Sequence, residues 1–309
     1  MEETARKRKI HWAHWVAYAF PLGVDPYLLK TAYFQKVRAL SGFAAHVRSG
    51  VYGRGKQVQV GTVSSAITAI GTTIALARGV NPTKVEQTNN LLPRLAQMMA
   101  GWKKADPPTV KKLPVAIDVP EFVADIGLAP GANELDKAIG DLTLIVFYYL
   151  LRVGEYTIKG NRNNTKQTVQ FRVQDVTFFK RDQNGRLWQL SRASRDDQIL
   201  TADSATLKLD NQKNGWKGVC IHQEHNGDAH HCPVRALGRR YVHIRNNTHD
   251  SSTFLSAFFV NTARFDVTDR DIRCSVKRAA RELHYPSLKG IPVERIDTHS
   301  LRSGGANAL

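Results

Sequence analysis

Apolar residues recur at three- and four-residue steps through the first hundred positions, as Val63, Ala66, Ile67, Ile70, Ile74 and Ala77, and again as Leu91, Leu92, Leu95, Met98, Met99 and Trp102. That period lines one face of an α-helix. Weaker versions over 12–20 and 27–40 bring the expectation for 1–104 to four helices. Trp12, Trp15, Tyr18 and Phe20 read as core aromatics in preference to base-stacking platforms. The basic glycine-rich loop 50–56, with Arg54 and Lys56, lacks the spacing of a nucleotide-binding motif and reads as a solvated turn or a phosphate contact.

The helical pattern ends at 105–114, where three prolines cannot continue a helix and keep the path extended. This is the expected linker, with a boundary at about 108 and domains at 1–108 and 109–309. Beyond it, helices are predicted near 121–127 and over 133–151, the latter with Asn133 as N-cap. Strand-like text follows. Val169, Phe171 and Val173 alternate with polar residues, and Val176 to Phe179 approaches the turn Asn184-Gly185. A second Asn-Gly pair, Asn214-Gly215, separates 206–209 from 218–221, and such pairs between extended runs signal hairpins. Helices resume at 233–244 and 268–283. The fold class expected is α+β, mainly helical with a small antiparallel sheet.

Charge narrows the partner. Lys and Arg number 44 against 27 Asp and Glu, a net of +17. Residues 1–112 hold 17 of the basic and 5 of the acidic residues, so most of the excess, +12, sits on the first third. A polyanionic partner follows from this balance, and duplex DNA and RNA fit it equally. Lys103, Lys104, Lys111 and Lys112 flank or occupy the linker, where they suit a chain running near phosphates. The N-terminal Arg6-Lys7-Arg8-Lys9 reads as a nuclear-import patch or a phosphate-contacting arm. The sequence reads as having no apolar run of the length a membrane span needs and no secretory signal. Cys220, Cys232 and Cys274 make no disulfide framework and fit a reducing, intracellular compartment.

Two motifs carry chemistry. His299 and Arg302 form a His-x-x-Arg pair that a helix would place on one face, beside Gly304-Gly305, whose bare backbone admits another backbone or a phosphate. Upstream, Arg152 and Glu155 stand in Leu-Arg-Val-Gly-Glu, directly after an apolar helical stretch. Together they resemble the tyrosine recombinases, the phage-integrase-like enzymes that break and rejoin DNA. The wording is nearest to the eukaryotic Crypton-like branch. The resemblance covers 110–309 well and 1–110 in architecture only.

The resemblance implies a helical, SAM-like core-binding domain joined to a catalytic domain, closing on double-stranded DNA as a clamp. It further implies a homo-oligomer on DNA, and a nuclear location if the host is eukaryotic. Arg152 and Arg302 would hold the non-bridging oxygens of one phosphate, His299 would assist, and Glu155 would orient Arg152. Lys213, preceding the second Asn-Gly turn, would be the general acid for the departing 5′-oxygen, with Lys217 as its alternative. A tyrosine would attack the phosphate to give a 3′-phosphotyrosyl link, with no cofactor and no metal. The family places that tyrosine after the His-x-x-Arg helix. Every tyrosine here precedes His299, so the expectation is a chain truncated before its nucleophile.

Two rival readings stay open. Cys220, His222, His225, His230, His231 and Cys232 gather six possible zinc ligands in a spacing that matches no standard finger. They would favour a non-catalytic DNA-binding protein derived from a mobile element. A type IB topoisomerase-like enzyme shares the arginine pocket and is the enzymatic alternative.

Overall fold

The computed structural model describes residues 2–53, 55–108, 111–158, 170–209 and 218–308. They belong to two units, Met1–Thr109 and Val110–Leu309.

The first unit is built from α1 (Glu2–Ala19), α2 (Tyr33–Arg48), α3 (Val60–Arg78) and α4 (Pro93–Ala105). Their apolar faces meet in one core around Trp15, Leu40, Phe43, Ile67, Ile70 and Leu95. Trp15 is fully buried, stands edge-on to Phe43 at 5.3 Å, and donates its indole N–H to the Pro26 carbonyl at 2.8 Å. α2 starts later than the apolar pattern predicts. The Asp25 carboxylate accepts the N–H groups of Tyr27 and Leu29, and Leu28 and Lys30 take φ of 55° and 54°, so 25–30 is a turn that sends Leu28 into the core.

Asp106, just past α4, joins three helices. One oxygen accepts the Val60 N–H at 2.7 Å, capping α3, and the other pairs with Arg48 at the end of α2. The Val60 hydrogen bond leads the causes that hold its carboxyl below the ordinary carboxylate value. α3 corrects one sequence expectation: its 19 residues carry no charge before Arg78, and they are long and apolar enough to cross a membrane by length and composition. Serines, threonines and glycines interleave the apolar positions, which hides the run from a reading by eye. Its buried side, Val63, Ala66, Ile67, Ile70 and Ile74, is spent on the core of this unit.

The second unit centres on α6 (Glu134–Tyr149), buried on nearly every side and flanked by α5 (Asp118–Leu128) and α9 (Pro233–Asn247). The predicted cap is present, since the Asn133 side chain accepts the Asp136 N–H at 2.8 Å. A four-stranded antiparallel sheet of β1 (Val176–Arg181), β2 (Leu187–Gln189), β3 (Ser204–Lys208) and β4 (Cys220–Glu224) has the order β2-β1-β3-β4. Arg181 pairs with Leu187 across the predicted Asn184-Gly185 turn, with Gly185 at φ 77°. Lys208 pairs with Cys220. Asn214-Gly215, Lys213 and Lys217 lie outside the described residues.

The strand expected at Phe171 and Val173 does not form. Their backbones bond instead to Leu255 and Thr253, leaving an isolated bridge at Arg172 and a 3-10 turn at Val173–Asp175. Short α7 (Val153–Tyr156) and α8 (Asp196–Leu200) precede α9 in the chain, and a separate hairpin pairs β5 (Ala257–Val260) with β6 (Ala263–Asp266). α10 (Asp269–Glu282), α11 (Tyr285–Leu288) and α12 (Thr298–Ala308) complete the unit. The architecture is α+β, with a small antiparallel sheet inside a helical protein.

Candidate phosphodiester-binding site

Arg152 stands where one helix stops and another starts. α6 ends at Tyr149 because Leu150 turns left-handed, φ 54°, and returns its N–H to the Val146 carbonyl. Two residues on, Arg152 is the extended N-cap of α7. Its own N–H donates to Glu155 Oε2 at 2.8 Å, and its Nη1 donates to Glu155 Oε1 at 3.3 Å. The Glu155 side chain is buried, 5% exposed, whereas Arg152 is 32% exposed. A buried carboxylate thus holds both ends of a residue whose guanidinium still meets solvent.

α12 brings the second arginine. A Cβ on Gly304 would lie 1.9 Å from the Val115 carbonyl oxygen, and one on Gly305 would lie 2.0 Å from the Phe147 carbonyl oxygen. The glycine pair therefore serves backbone-to-backbone packing of α12 on 115 and on the end of α6, one of the two uses the sequence allowed. Arg302, half-buried, comes within electrostatic range of Arg152 and Glu155. Burial first, then the Arg152 charge, lowers its pKa, while Glu155 opposes the fall. Two guanidinium groups within electrostatic range of one carboxylate leave a surplus positive charge, the electrostatics that an oxyanion completes.

His299 is exposed in the first turn of α12, between buried Thr298 and Ser300. Its backbone N–H donates to Asp297 Oδ1 at 2.8 Å, and Ser300 Oγ accepts the Asp297 N–H at 3.1 Å, which fixes the helix start. Among the described residues its imidazole makes no hydrogen bond or ion pair. The structure thus brings Arg152, Glu155 and Arg302 together, sets His299 on the same helix, and leaves Lys213 outside the described residues.

Of the DNA-contact candidates, Lys56, Lys103, Lys104, Lys111 and Lys112 are exposed, and Arg54 lies outside the described residues. Lys112 is engaged at home: its Nζ donates to the Glu294 carbonyl at 2.8 Å and lies 3.7 Å from Asp297 Oδ2. Leu113 donates its N–H to the Arg295 carbonyl, and Arg295 donates Nε to the Lys111 carbonyl. The end of the linker segment is thus stitched to the approach of α12. Sequence reasoning missed Lys112 and Asp297 in this role. The only local signal was an Asp opening the helix that carries His299.

Tyr156 lies within electrostatic range of Glu155 and Asp297. It is 1% exposed, and burial, followed by the charges of Asp297, Asp269 and Glu155, pushes its phenol pKa far up. Such a phenol resists forming the phenolate that attacks phosphorus. Tyr149 and Tyr285 are buried too, with hydroxyls donated to the Ala205 carbonyl and to Asp118. The six Cys and His residues between 220 and 232 disperse: Cys232 is buried at the start of α9, Cys220 is exposed on β4, His231 pairs with Asp125 at 2.7 Å, and Arg235 donates to His225. Among the described residues no group of three or more His, Cys, Asp or Glu side chains is placed to hold a metal ion.

No protein-family model matches the chain, and no curated protein matches it. Among solved structures, it is similar to the Tn1549 transposon integrase in complex with a circular intermediate DNA, at 12% identity and a TM-score of 0.42, covering 88% of this chain and 72% of that one. A second complex of the same integrase with circular intermediate DNA gives 12% identity and a TM-score of 0.40, over 88% of this chain and 73% of that one.

Proposed function

We propose that the chain binds double-stranded DNA and grips one phosphodiester between Arg152 and Arg302, as a site-specific recombinase of the tyrosine type does. The observation that carries this reading is that the two guanidinium groups come within electrostatic range of each other and of Glu155. They come from positions 150 residues apart, and the Gly304-Gly305 packing brings them into range. Paired guanidiniums match the non-bridging oxygens of a phosphate and stabilise the charge that grows there as a nucleophile attacks. Glu155 positions Arg152. His299 adds a hydrogen bond from the first turn of α12, and Lys213 delivers a proton to the departing 5′-oxygen. The exposed lysines and arginines of 1–112 supply sequence-independent phosphate contacts.

A second reading, DNA binding without strand cleavage, is favoured by Tyr156, whose burial and raised pKa unfit it as the nucleophile of this pocket. One experiment separates the two. The chain is incubated with a pool of end-labelled duplexes, bound species are recovered, and half of each sample is run on a denaturing gel. Duplex binding with a denaturant-stable protein–DNA adduct supports recombinase chemistry. Binding without an adduct supports the second reading, and absence of duplex binding removes both.

A further inference from the structure

A cavity of about 260 Å³ lies between α5, α6 and α9 and is lined by none of Arg152, Glu155, His299 and Arg302. Its apolar wall comes from the end of α5, including Ala124 and Ala129, and its polar wall from Glu134, Lys137 and Asp141 on α6 and Arg239, Arg240 and His243 on α9. The charges can be assigned one by one. Glu134 Oε1 takes Lys137 at 2.8 Å, and its other oxygen lies 3.2 Å from His243 Nδ1. His243 Nε2 accepts the Phe259 N–H at 3.2 Å, which fixes a neutral ring with its proton on Nδ1. Asp141, buried, takes Arg239 Nε at 2.7 Å.

That leaves Arg240. It is 1% exposed, and it donates only to backbone carbonyls, Nε to Leu255 at 3.3 Å and Nη2 to Ala257. Among the described residues no carboxylate pairs with it directly. Its burial pulls the guanidinium pKa down to about 10, against the opposing charges of Asp141, Glu134 and Asp266, none of which bonds to it directly. Three cations therefore line the cavity against two carboxylates, and each carboxylate already has a cation. A buried cation without its anion is costly, and a void beside it large enough for several atoms is the place where the missing anion fits.

We propose that this cavity is a binding site for a compact oxyanion, a phosphate or carboxylate group borne by a small molecule. The apolar α5 wall would receive the body of the ligand, and Lys137 at the rim would meet it first, its side chain being 48% exposed. The proposal does not depend on the DNA reading.

The test uses the full chain carrying Arg302→Ala, so that the phosphodiester site cannot report, and inorganic phosphate as the probe. Phosphate replaces chloride at constant ionic strength while the His243 ring resonances and the melting temperature are followed. A saturable shift of His243 with a rise in melting temperature is expected by about 10 mM phosphate. Adding Lys137→Gln, or Ala129→Trp to fill the mouth, should weaken the response about tenfold or more. Both positions lie at the surface, so folding, checked by circular dichroism, survives. No saturation over that range, or a response unchanged in both variants, overturns the proposal.

Discussion

Glu155 accepts the Arg152 backbone N–H at 2.8 Å and the Arg152 guanidinium at 3.3 Å, so one buried carboxylate both opens a helix and aims a cation. The two jobs are separable by substitution. Glu155→Ala removes both acceptors and leaves the N–H of Arg152 without a partner. Loss of such a cap costs about 1 kcal/mol, and the unpaired guanidinium adds to it, for a total of roughly 1–3 kcal/mol in urea unfolding. Glu155→Gln keeps an acceptor for the N–H and should lose less than half as much. Equal losses in the two variants would show that the pairing with the guanidinium matters and the cap adds nothing.

Gly304 and Gly305 are expected to tolerate no side chain. With Cβ contacts of 1.9 and 2.0 Å to carbonyl oxygens, Gly304→Ala or Gly305→Ala must push α12 away, at a cost of about 1–3 kcal/mol. Because Arg302 rides on α12, DNA affinity should fall with stability. Gly101 in α4 is the contrast. A Cβ there meets nothing within 4 Å, so Gly101→Ala should stabilise by about 0.4–1 kcal/mol, through loss of unfolded-state freedom. Thermal and urea melts of the three variants measure the signs.

His231 sits between two carboxylates, 2.7 Å from Asp125 on α5 and 3.4 Å from Asp228. Burial disfavours its charged form, but the Asp125 hydrogen bond and the charges of Asp125, Asp228 and Glu121 outweigh burial and raise its pKa above 6.5. A raised folded-state value stabilises the fold fully below the unfolded pKa of about 6.5, and the gain fades as pH climbs through the folded value. The wild-type chain should therefore lose stability relative to His231→Gln between pH 6 and the upper end of that rise. Parallel pH dependences of the two proteins would remove His231 from the account.

Much of this was legible in the chain because it was encoded locally. Asn133 and Thr268 cap their helices with the carboxylates or N–H groups three residues on, and Gly185 takes the left-handed φ that an Asn-Gly turn needs. Other features had no local text. The β5–β6 turn puts Asn261 and Thr262 at φ 48° and 68°, and a β-branched Thr is an improbable occupant of that region, so the hairpin went unread. Phe171 and Val173 alternate like a strand, but their backbone partners at 253–255 shape them into a bridge and a turn. In the site, Arg152, Glu155 and Arg302 were readable as motifs. Lys112 was not, because its partner carbonyl at Glu294 lies 182 residues away and only the folded chain brings them together.

Affinity for duplex DNA should fall steeply with salt, since the first third of the chain carries 17 basic and 5 acidic residues. Each phosphate neutralised contributes about −0.9 to the slope of log affinity against log salt. Replacing Lys103 and Lys104 together with Gln should reduce that slope by up to about 2, and Lys112→Gln by less than its share, because Lys112 is held at the Glu294 carbonyl. Fluorescence anisotropy at several salt concentrations gives the slopes. A flat dependence for the wild-type chain would leave the basic excess without a role in DNA binding.

The sharpest expectation concerns the arginine pair itself. Arg302→Ala removes one of two neighbouring cations, and relief of its burial and of its repulsion by Arg152, which together lower the Arg302 pKa, should leave the unbound protein as stable as before or slightly more so. Arg152→Ala should instead destabilise it, because Glu155 is then left buried without its cation. Both variants should nevertheless lose DNA affinity, by about 1–3 kcal/mol if each guanidinium makes charge-assisted bonds to one phosphate. The signature is a pair of substitutions with opposite or unequal effects on folding and the same effect on binding. Arg302→Lys keeps the charge but not the planar fork, so it should keep the wild-type stability and salt dependence while recovering little of the affinity. Urea melts beside anisotropy titrations read both quantities on the same preparations. If Arg152→Ala and Arg302→Ala bind duplex DNA as tightly as the wild-type chain, the two arginines do not grip a phosphate, and their proximity to Glu155 is packing alone.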